Sequence, residues 1–171
     1  MTPDLDLTSV PAWAVEPSCP AADLTGRQYT VLAIGAEAAE IAARWTAQIS
    51  AEHRVHRVAD AAEACRALDA DLADARVGWR LLLAGPAHVC LRVRARALEL
   101  GATDDEITVA STEVDTREVY CAHCRSTTTA ATGLSQEITC PDCGRRLFVY
   151  YHVSRRLGAH LGFATHADTA P

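Results

Sequence analysis

Short apolar runs alternate with amphipathic stretches over residues 29–110, and this alternation predicts strands and helices in turn. The stretches between the runs place apolar side chains every three or four positions, which is typical of helices. Repeated strand–helix units with nearly uninterrupted apolar strands favour a mixed α/β fold, with a small parallel sheet and flanking helices. The pattern predicts strands at 29–34, 53–58, 79–84 and 107–110, and helices at 36–50, 61–75 and 87–100.

Three residues at the predicted helix ends support these boundaries. Asp60 precedes the second helix, where its carboxylate is expected to accept a hydrogen bond from the first turn. Pro86 is expected at the first position of the third helix, because that position needs no backbone N–H donor. Gly101 follows this helix, where glycine readily adopts the left-handed backbone conformation that ends a helix.

Composition and charge divide the chain further. Residues 1–26 contain four prolines and no hydrophobic period, and Trp13 among them is either an exposed partner contact or a side chain folded back on the domain. Residues 1–113 carry a net charge of −7 and residues 114–171 carry +1, so the character of the chain changes near residue 113. We predict an extended N-terminal arm at 1–26, an α/β domain at 27–113, a ribbon at 114–152 and a docking tail at 153–171.

The strongest local motif consists of two Cys-x-x-Cys pairs separated by 15 residues. Two tight turns of this kind bring four thiolates to one point, as a tetrahedral metal ion requires. Residues 125–139 between the pairs are rich in threonine and contain a glycine, which predicts a β-hairpin. The sequence therefore predicts a zinc-ribbon β domain in which four cysteines bind one metal ion: Cys121, Cys124, Cys140 and Cys143.

Zinc and iron both remain open as the metal of a four-cysteine site. Zinc would be structural, because Zn2+ is redox-inactive and holds a small domain together. Iron would give a rubredoxin-like electron carrier. The glycine that favours iron after each pair is present at Gly144, but Arg125 follows the first pair. We therefore expect structural zinc.

Overall charge and hydropathy limit the function classes. The chain has a net charge of −6, so we expect no nucleic-acid partner. No apolar run approaches the roughly 18–20 residues that span a bilayer, and the acidic first residues lack the features of a signal peptide. Seven cysteines, an odd number, argue against a fully paired secreted framework. We expect a cytoplasmic protein with no membrane contact.

The segment after the ribbon combines arginines with apolar residues and glycines. Ser154 is a candidate cap for a short helix at its start. A basic and apolar tail is poorly suited to free solution, and either docking on another surface or packing on its own domain would bury it.

The last part of the α/β region resembles the final strand–helix–strand unit of the pyridine-nucleotide domain of ferredoxin reductases. Ala84 stands where that family has a cysteine facing the nicotinamide, and Glu37 follows the reduced glycine turn at Gly35. A carboxylate at a helix N-terminus opposes a pyrophosphate, so the resemblance implies a degenerate Rossmann-like domain without productive NAD(P)H binding. The matching segments are Trp79-Arg-Leu-Leu-Leu-Ala-Gly85-Pro86, Leu100-Gly101 and Asp104-Asp-Glu-Ile107.

The reductase-like unit, the four-cysteine ribbon and Ser154-Arg-Arg-Leu-Gly158 together resemble the small subunit of dimethylamine monooxygenase, the DmmA-like proteins. The resemblance covers residues 25–165. It implies a subunit of an assembly that demethylates dimethylamine with O2 and NAD(P)H, giving methylamine and formaldehyde. It also implies two partners, a haem-containing oxygenase subunit and a flavin/iron–sulfur reductase subunit, which would carry haem, FMN and a 2Fe-2S centre.

Three functions are therefore open. The first is an accessory subunit that scaffolds the oxygenase and reductase subunits, with no catalytic or cofactor-binding residues of its own. The second is a rubredoxin-like electron-transfer protein with iron in the four-cysteine site. The third is a regulatory subunit that binds a nucleotide near Gly35 and Gly85. The sequence contains no paired carboxylates, no serine–histidine–aspartate order and no P-loop. This favours the accessory subunit, a chain that is not catalytic alone.

Overall fold

The structure is a computed structural model that describes residues 7–164. A parallel sheet with three helices is followed by a second, mostly antiparallel sheet. Within residues 7–164, no helix is both long enough and apolar enough to cross a membrane. The helices are α1 (Ala36–Thr46), α2 (Ala61–Ala73) and α3 (Ala87–Glu99), with short 3-10 turns at Ala12–Ala14 and Asp104–Glu106. The strands are β1 (Gln28–Ile34), β2 (Glu52–Val58), β3 (Trp79–Gly85), β4 (Ile107–Ser111), β5 (Thr116–Cys121), β6 (Thr127–Ala131), β7 (Glu137–Thr139), β8 (Arg146–Ser154) and β9 (Ala159–Ala164).

The first sheet has the strand order β2-β1-β3-β4, and all its strands are parallel. Successive side chains of β1 point to opposite faces, as the pleat of a strand requires. Val31 packs in the cluster that contains α1, whereas Leu32 packs in the cluster that contains α2 and α3. Helices thus cover both faces, and the predicted α/β class with a second, β-rich domain is confirmed.

The observed helix ends follow the local signals closely. The Asp60 carboxylate accepts a hydrogen bond from the Glu63 N–H at 2.8 Å, as expected of an N-cap residue. Gly101 has a φ of +101° after the last turn of α3. Pro86 is the N-cap residue of α3, one position before the predicted one. The helix α1 ends at Thr46, four residues earlier than predicted.

The second sheet has the strand order β6-β5-β9-β8-β7. The prediction of a β-hairpin between the two cysteine pairs is wrong, because β6 and β7 lie at opposite edges of this sheet. Each of them pairs instead with the strand on the far side of its own cysteine turn, β6 with β5 and β7 with β8. The strand β9 lies between the two halves, parallel to β5 and antiparallel to β8.

The prediction of a short helix after the ribbon is also wrong for the described residues, because the segment forms a turn and a strand of this chain's own sheet. Ser154 does cap a turn, since its hydroxyl accepts a hydrogen bond from the Leu157 N–H at 3.2 Å. The turn closes when the Gly158 N–H donates to the Ser154 carbonyl at 2.8 Å, and the chain returns as β9. As β9, the segment forms backbone hydrogen bonds with β5 on one side and with β8 on the other. These bonds satisfy its N–H and C=O groups better than an isolated glycine-containing helix would. Residues 165–171 of the predicted tail lie outside the described residues.

The N-terminal segment lies against both sheets. Trp13 packs against the core of the α/β domain and against the cluster between the two domains, so its side chain is folded back. The Val153 N–H donates to the Ser9 hydroxyl at 2.9 Å. Ser18 and Ser111 exchange two backbone hydrogen bonds at the end of β4. The segment therefore ties the α/β domain to the second sheet.

The second sheet also packs directly against α3. Leu91 of α3, Val153 of β8 and Val10 form one buried cluster between the domains. Gly158 has a φ of +64°, and a Cβ atom placed there would lie 2.5 Å from the carbonyl oxygen of Leu91. A contact this close is open to glycine alone, so Gly158 sets how near the turn approaches α3.

A buried carboxylate links three elements of the α/β domain. Asp71 of α2 is 5% exposed and accepts a hydrogen bond from the Thr30 hydroxyl at 2.8 Å. It forms an ion pair with Arg54 at 3.1 Å and a hydrogen bond with the His56 ring at 2.9 Å. Burial acts to raise the pKa of Asp71, but hydrogen bonds from His56, Thr30 and Arg54 outweigh it and the pKa is lowered. His56 is thus the partner of a structural carboxylate.

Replacing Asp71 with alanine is expected to lower the free energy of unfolding by about 2–3 kcal/mol, because the Thr30 hydroxyl, the Arg54 guanidinium and the His56 ring lose a hydrogen-bond partner. The matched control is Asp74→Ala, which removes an exposed carboxylate 3.4 Å from Arg54 and should cost less than about 1 kcal/mol. Urea unfolding of both variants measures the difference. Equal losses would mean that the Asp71 contacts contribute no more than a surface ion pair.

Candidate metal centre

The two Cys-x-x-Cys turns have the same backbone geometry. In the first, the Arg125 N–H donates to the Cys121 carbonyl at 2.9 Å, and in the second the Gly144 N–H donates to the Cys140 carbonyl at 2.9 Å. Arg125 and Gly144 both adopt a left-handed conformation, with φ of +67° and +70°. Arginine thus occupies the position that glycine would take more easily, so Arg125 does not change the shape of the turn.

The four sulfurs lie close enough together to bind one ion. The Sγ atoms of Cys121 and Cys143 are 3.8 Å apart, and those of Cys124 and Cys140 are 3.6 Å apart. All four lie within 4.8 Å of one another. A tetrahedral ion with metal–sulfur bonds of about 2.3 Å holds its sulfurs about 3.8 Å apart. The cluster therefore fits a tetrahedral metal ion, and within residues 7–164 it is the group of candidate ligands that the fold brings close enough together to hold one.

Burial and neighbouring donors set the acidity of the thiols. The Ser126 hydroxyl lies 3.5 Å from the Cys140 sulfur and is the main cause that lowers the pKa of Cys140 to about 6. A backbone N–H of Arg145 favours the thiolate of Cys143, but burial and the other sulfurs outweigh it and raise its pKa to about 12. Four thiolates repel one another in a small volume, and a divalent cation removes that repulsion.

Ser126 is a site residue that the sequence analysis missed. Its hydroxyl lies 3.1 Å from the Cys124 sulfur as well as within reach of Cys140, so it bridges the two cysteine pairs. Hydrogen bonds to ligating sulfurs orient them and tune the charge on the site. The signal available in the sequence was the position of Ser126 directly after the first turn, where the chain must stay near the sulfurs. His123 lies inside that turn but is exposed and does not join the cluster.

A second polar pair, His160 and Arg117, is buried in the ribbon. His160 of β9 is 1% exposed and Arg117 of β5 is 6% exposed. The guanidinium of Arg117 donates to the Thr132 carbonyl, but its Nε has no partner, and neither has Nδ1 of His160. Burial and the positive charge of Arg117 lower the pKa of His160 to about 4. The imidazole is therefore neutral in the folded protein at neutral pH.

The depressed pKa of His160 predicts a loss of stability in mild acid. The unfolded chain binds a proton at His160 below its ordinary pKa of 6.5, whereas the folded chain does so near 4. The contribution of neutral His160 to the free energy of unfolding is therefore fully present above pH 6.5. It is lost as the pH falls from 6.5 to 4, by about 3 kcal/mol in total. The free energy of unfolding, measured in urea at several pH values, should depend less on pH between 6.5 and 4 for His160→Gln than for the wild-type protein. The carboxylates titrate in both proteins and therefore do not contribute to this difference. The exposed control His53→Gln should keep the wild-type slope, and identical slopes for all three would contradict the prediction.

The crevice at the carboxyl ends of β1 and β3, where the strand order reverses, is the usual ligand position in parallel sheets. A Cβ atom on Gly85 would lie 2.9 Å from Cβ of Ile34, so Ile34 fills the space beside it. The Ala87 N–H at the start of α3 donates to the Glu113 carbonyl at 2.7 Å. Glu37 places a carboxylate in the first turn of α1. Glu37 would oppose the charge of a pyrophosphate at the start of α1, and the Ala87 N–H is already paired, so these two features disfavour a dinucleotide in the crevice.

The fold and site define a protein in which a parallel α/β domain carries a four-cysteine, metal-binding ribbon. Residues 118–163 match the family model for the dimethylamine monooxygenase subunit DmmA-like C-terminal domain. The chain is also 41% identical over 101 residues to the heme-dependent oxidative N-demethylase delta subunit of Ectopseudomonas mendocina (strain ymp). That alignment covers 59% of this chain, and it spans 57% of the length of the relative. These two matches confirm the resemblance to DmmA-like proteins. No solved structure matches significantly.

Proposed function

We propose that this protein is an accessory subunit of an oxidative N-demethylase that acts on dimethylamine or a closely similar methylated amine. The observation that carries the proposal is its 41% identity to a delta subunit of a heme-dependent enzyme of that class. In this role the chain holds a haem-containing oxygenase subunit and a flavin/iron–sulfur reductase subunit in a geometry suited to electron transfer. Haem, FMN and the 2Fe-2S centre belong to those partners, and the assembly is cytoplasmic.

The four-cysteine site supports a structural role in this proposal. We infer that Cys121, Cys124, Cys140 and Cys143 bind Zn2+. A four-sulfur site leaves no coordination position for water or substrate, which is typical of structural zinc and unsuited to catalytic zinc. Two of the sulfurs belong to fully buried residues, Cys121 and Cys140, so the bound ion would be an element of the ribbon core.

The crevice of the α/β domain supports the same role. Ile34 and Glu113 occupy positions at which a nucleotide would require space and donors. A buried cluster joins the two domains at α3, so each domain is held in place against the other. Two domains packed in this way are suited to contacting two other subunits.

Affinity purification of the tagged chain from its native host tests the proposal. We expect a haem protein and a flavin/iron–sulfur reductase to co-purify in fixed ratio, identified by mass spectrometry and by the visible spectrum of the eluate. Metal analysis of the isolated chain should give one zinc ion per chain. A monodisperse monomer that ignores both proteins at micromolar concentration would refute the scaffolding role. A red chain with a reducible visible spectrum would assign the site to iron and to electron transfer instead.

A further inference from the structure

The ribbon encloses a positively charged side chain whose neighbours balance its charge only in part. Arg117 of β5 is 6% exposed, and its guanidinium donates a hydrogen bond to the Thr132 carbonyl. Asp115 and Glu113 attract the guanidinium through charge but form no hydrogen bond with it. Burial outweighs this attraction, so the pKa of Arg117 is lowered. Because an arginine stays protonated in proteins, the buried charge persists and favours a further counter-charge.

A histidine lies beside this cation on the same face of the ribbon sheet. His160 of β9 pairs with Val119 of β5, and Arg117 stands two positions before Val119. Side chains two positions apart on a strand share a face, so the imidazole and the guanidinium are neighbours. The positive charge of Arg117 acts on the ring of His160, as expected of neighbours.

Each of these two side chains has one buried nitrogen atom that lacks a hydrogen-bond partner within residues 7–164. These atoms are Nε of Arg117 and Nδ1 of His160. The ring of His160 also hydrogen-bonds to the backbone of Tyr150. Buried polar atoms rarely lack partners in folded proteins, so the two nitrogens together indicate a ligand. When Nδ1 is protonated, both nitrogens are N–H donors that one acceptor can satisfy.

The strand on the other side of His160 is irregular at this point. The pairing of β8 with β9 is interrupted between Val149 and Val153, and Val153 is the residue that pairs with His160. Residues 150–152 of β8 therefore lie opposite Leu161 alone. His152 in this stretch is exposed and hydrogen-bonds to the N-terminal segment. Interruptions of this kind open the backbone ladder locally and are frequent beside functional sites.

We propose that Arg117 and His160 form a buried site for one small monovalent anion of about the size of chloride, which enters together with a proton for His160. The anion accepts hydrogen bonds from Nε of Arg117 and from protonated Nδ1 of His160. A proton and an anion that enter together add no net charge to the interior, and the anion lies next to the guanidinium. A water molecule would satisfy both nitrogens but would leave the guanidinium charge unbalanced. This inference is independent of the proposed function.

The groups around the imidazole determine how the anion affinity depends on pH. The strand β5 contributes the charge of Arg117, and β8 contributes the backbone of Tyr150. Asp115 and Glu113, which precede β5, act on Arg117. Burial and Arg117 lower the pKa of His160 to about 4 in the absence of an anion. A bound anion stabilises the protonated ring and raises this pKa, so the anion affinity should increase as the pH falls from 7.5 to 5.5.

The experiment measures urea unfolding of the full chain, with its metal bound, in sodium chloride and in sodium gluconate at equal ionic strength. Gluconate is too large for a buried site between two side chains. We expect about 200 mM chloride to lower the unfolding equilibrium constant at least about fivefold relative to gluconate at pH 5.5, and less than about twofold at pH 7.5. His160→Gln and Arg117→Met should remove this difference. The matched control Arg156→Met replaces an exposed arginine of the same sheet region and should retain it.

A crystal grown in sodium bromide at pH 5.5 gives a second measurement that needs no variant. We expect an anomalous bromide peak within hydrogen-bond distance of Nε of Arg117 and Nδ1 of His160. Absence of a peak there would contradict the proposal even if both variants failed to fold.

Three results of the unfolding experiment would also overturn the proposal. Equal unfolding constants of the wild-type chain in chloride and gluconate would assign the two nitrogens to an ordered water molecule. A chloride effect that persists in His160→Gln and Arg117→Met would come from the protein surface and mean an adventitious ion only. A chloride effect of the same size at pH 5.5 and 7.5 would show that no proton accompanies the anion.

Discussion

Replacing Cys140 with serine is expected to release the metal and unfold the ribbon. Cys140 is fully buried, and its sulfur lies 3.6 Å from that of Cys124. A serine hydroxyl stays protonated at neutral pH and is a poor metal ligand, so three sulfurs remain for an ion that needs four. Structural zinc sites in small domains contribute about 10–16 kcal/mol of apparent binding free energy at neutral pH. The apolar cluster around the site is small and contains the cysteines themselves, so it cannot replace that contribution.

Metal analysis and limited proteolysis measure this result. The Cys140→Ser variant should contain almost no zinc and should be cleaved rapidly within the ribbon, at Arg125 and Arg145. The helical circular-dichroism signal should persist, because α1, α2 and α3 all lie in the α/β domain. Cys19→Ser is the matched control, since Cys19 is exposed and stands outside the sulfur cluster. A Cys140→Ser protein that retains one zinc ion and resists protease would contradict the assignment of the site.

Replacing Gly158 with alanine is expected to lower the free energy of unfolding by about 2–4 kcal/mol and to loosen the contact between the ribbon and α3. Two effects contribute. The φ of +64° is strained for any residue with a Cβ atom, and the new atom would lie 2.5 Å from the Leu91 carbonyl oxygen and 2.7 Å from Cα of Arg92. Both neighbours are backbone atoms of a helix and cannot rotate away. The turn must therefore move as a whole.

Gly101→Ala separates these two effects. Gly101 also has a positive φ, +101°, but no atom lies within 4 Å of the position of its missing Cβ. This control should therefore show the backbone strain alone, about 1–2 kcal/mol. Urea unfolding gives the stabilities, and hydrogen exchange should show faster exchange along β9 and α3 in the Gly158 variant only. Equal losses and equal exchange in the two variants would mean that the close approach to α3 contributes nothing to stability.

The α/β domain was predictable because its order depends on local signals. Each buried strand is a short apolar run, and the helix starts and ends carry recognisable residues such as Asp60 and Gly101. The cysteine spacing likewise predicted the sulfur cluster, because four ligands in two tight turns have few other arrangements.

The ribbon topology was not predictable from the same signals. The segment after Ser154 contains Gly158 and Gly162 and has no strong strand pattern, yet it forms a central strand. Its place depends on partners far away in sequence, since Gly162 pairs with Cys121 and with Val149. A Cβ on Gly162 would lie 2.6 Å from a side-chain methyl of Val119, so glycine serves close packing there. Ser126 was missed for a similar reason, because its role appears only when both cysteine turns are assembled.

The position of β9 between β5 and β8 has a consequence for synthesis on the ribosome. The strands β1 to β4 can assemble as soon as residue 111 has emerged, since their sheet uses no later strand. The ribbon cannot close at that stage, because β9 is the last of the described strands to be made. Until then β5 and β8 each present an unpaired edge, which is prone to association with other chains. Nascent chains that stall before residue 159 should therefore depend on chaperones far more than chains that stall at the end of β4.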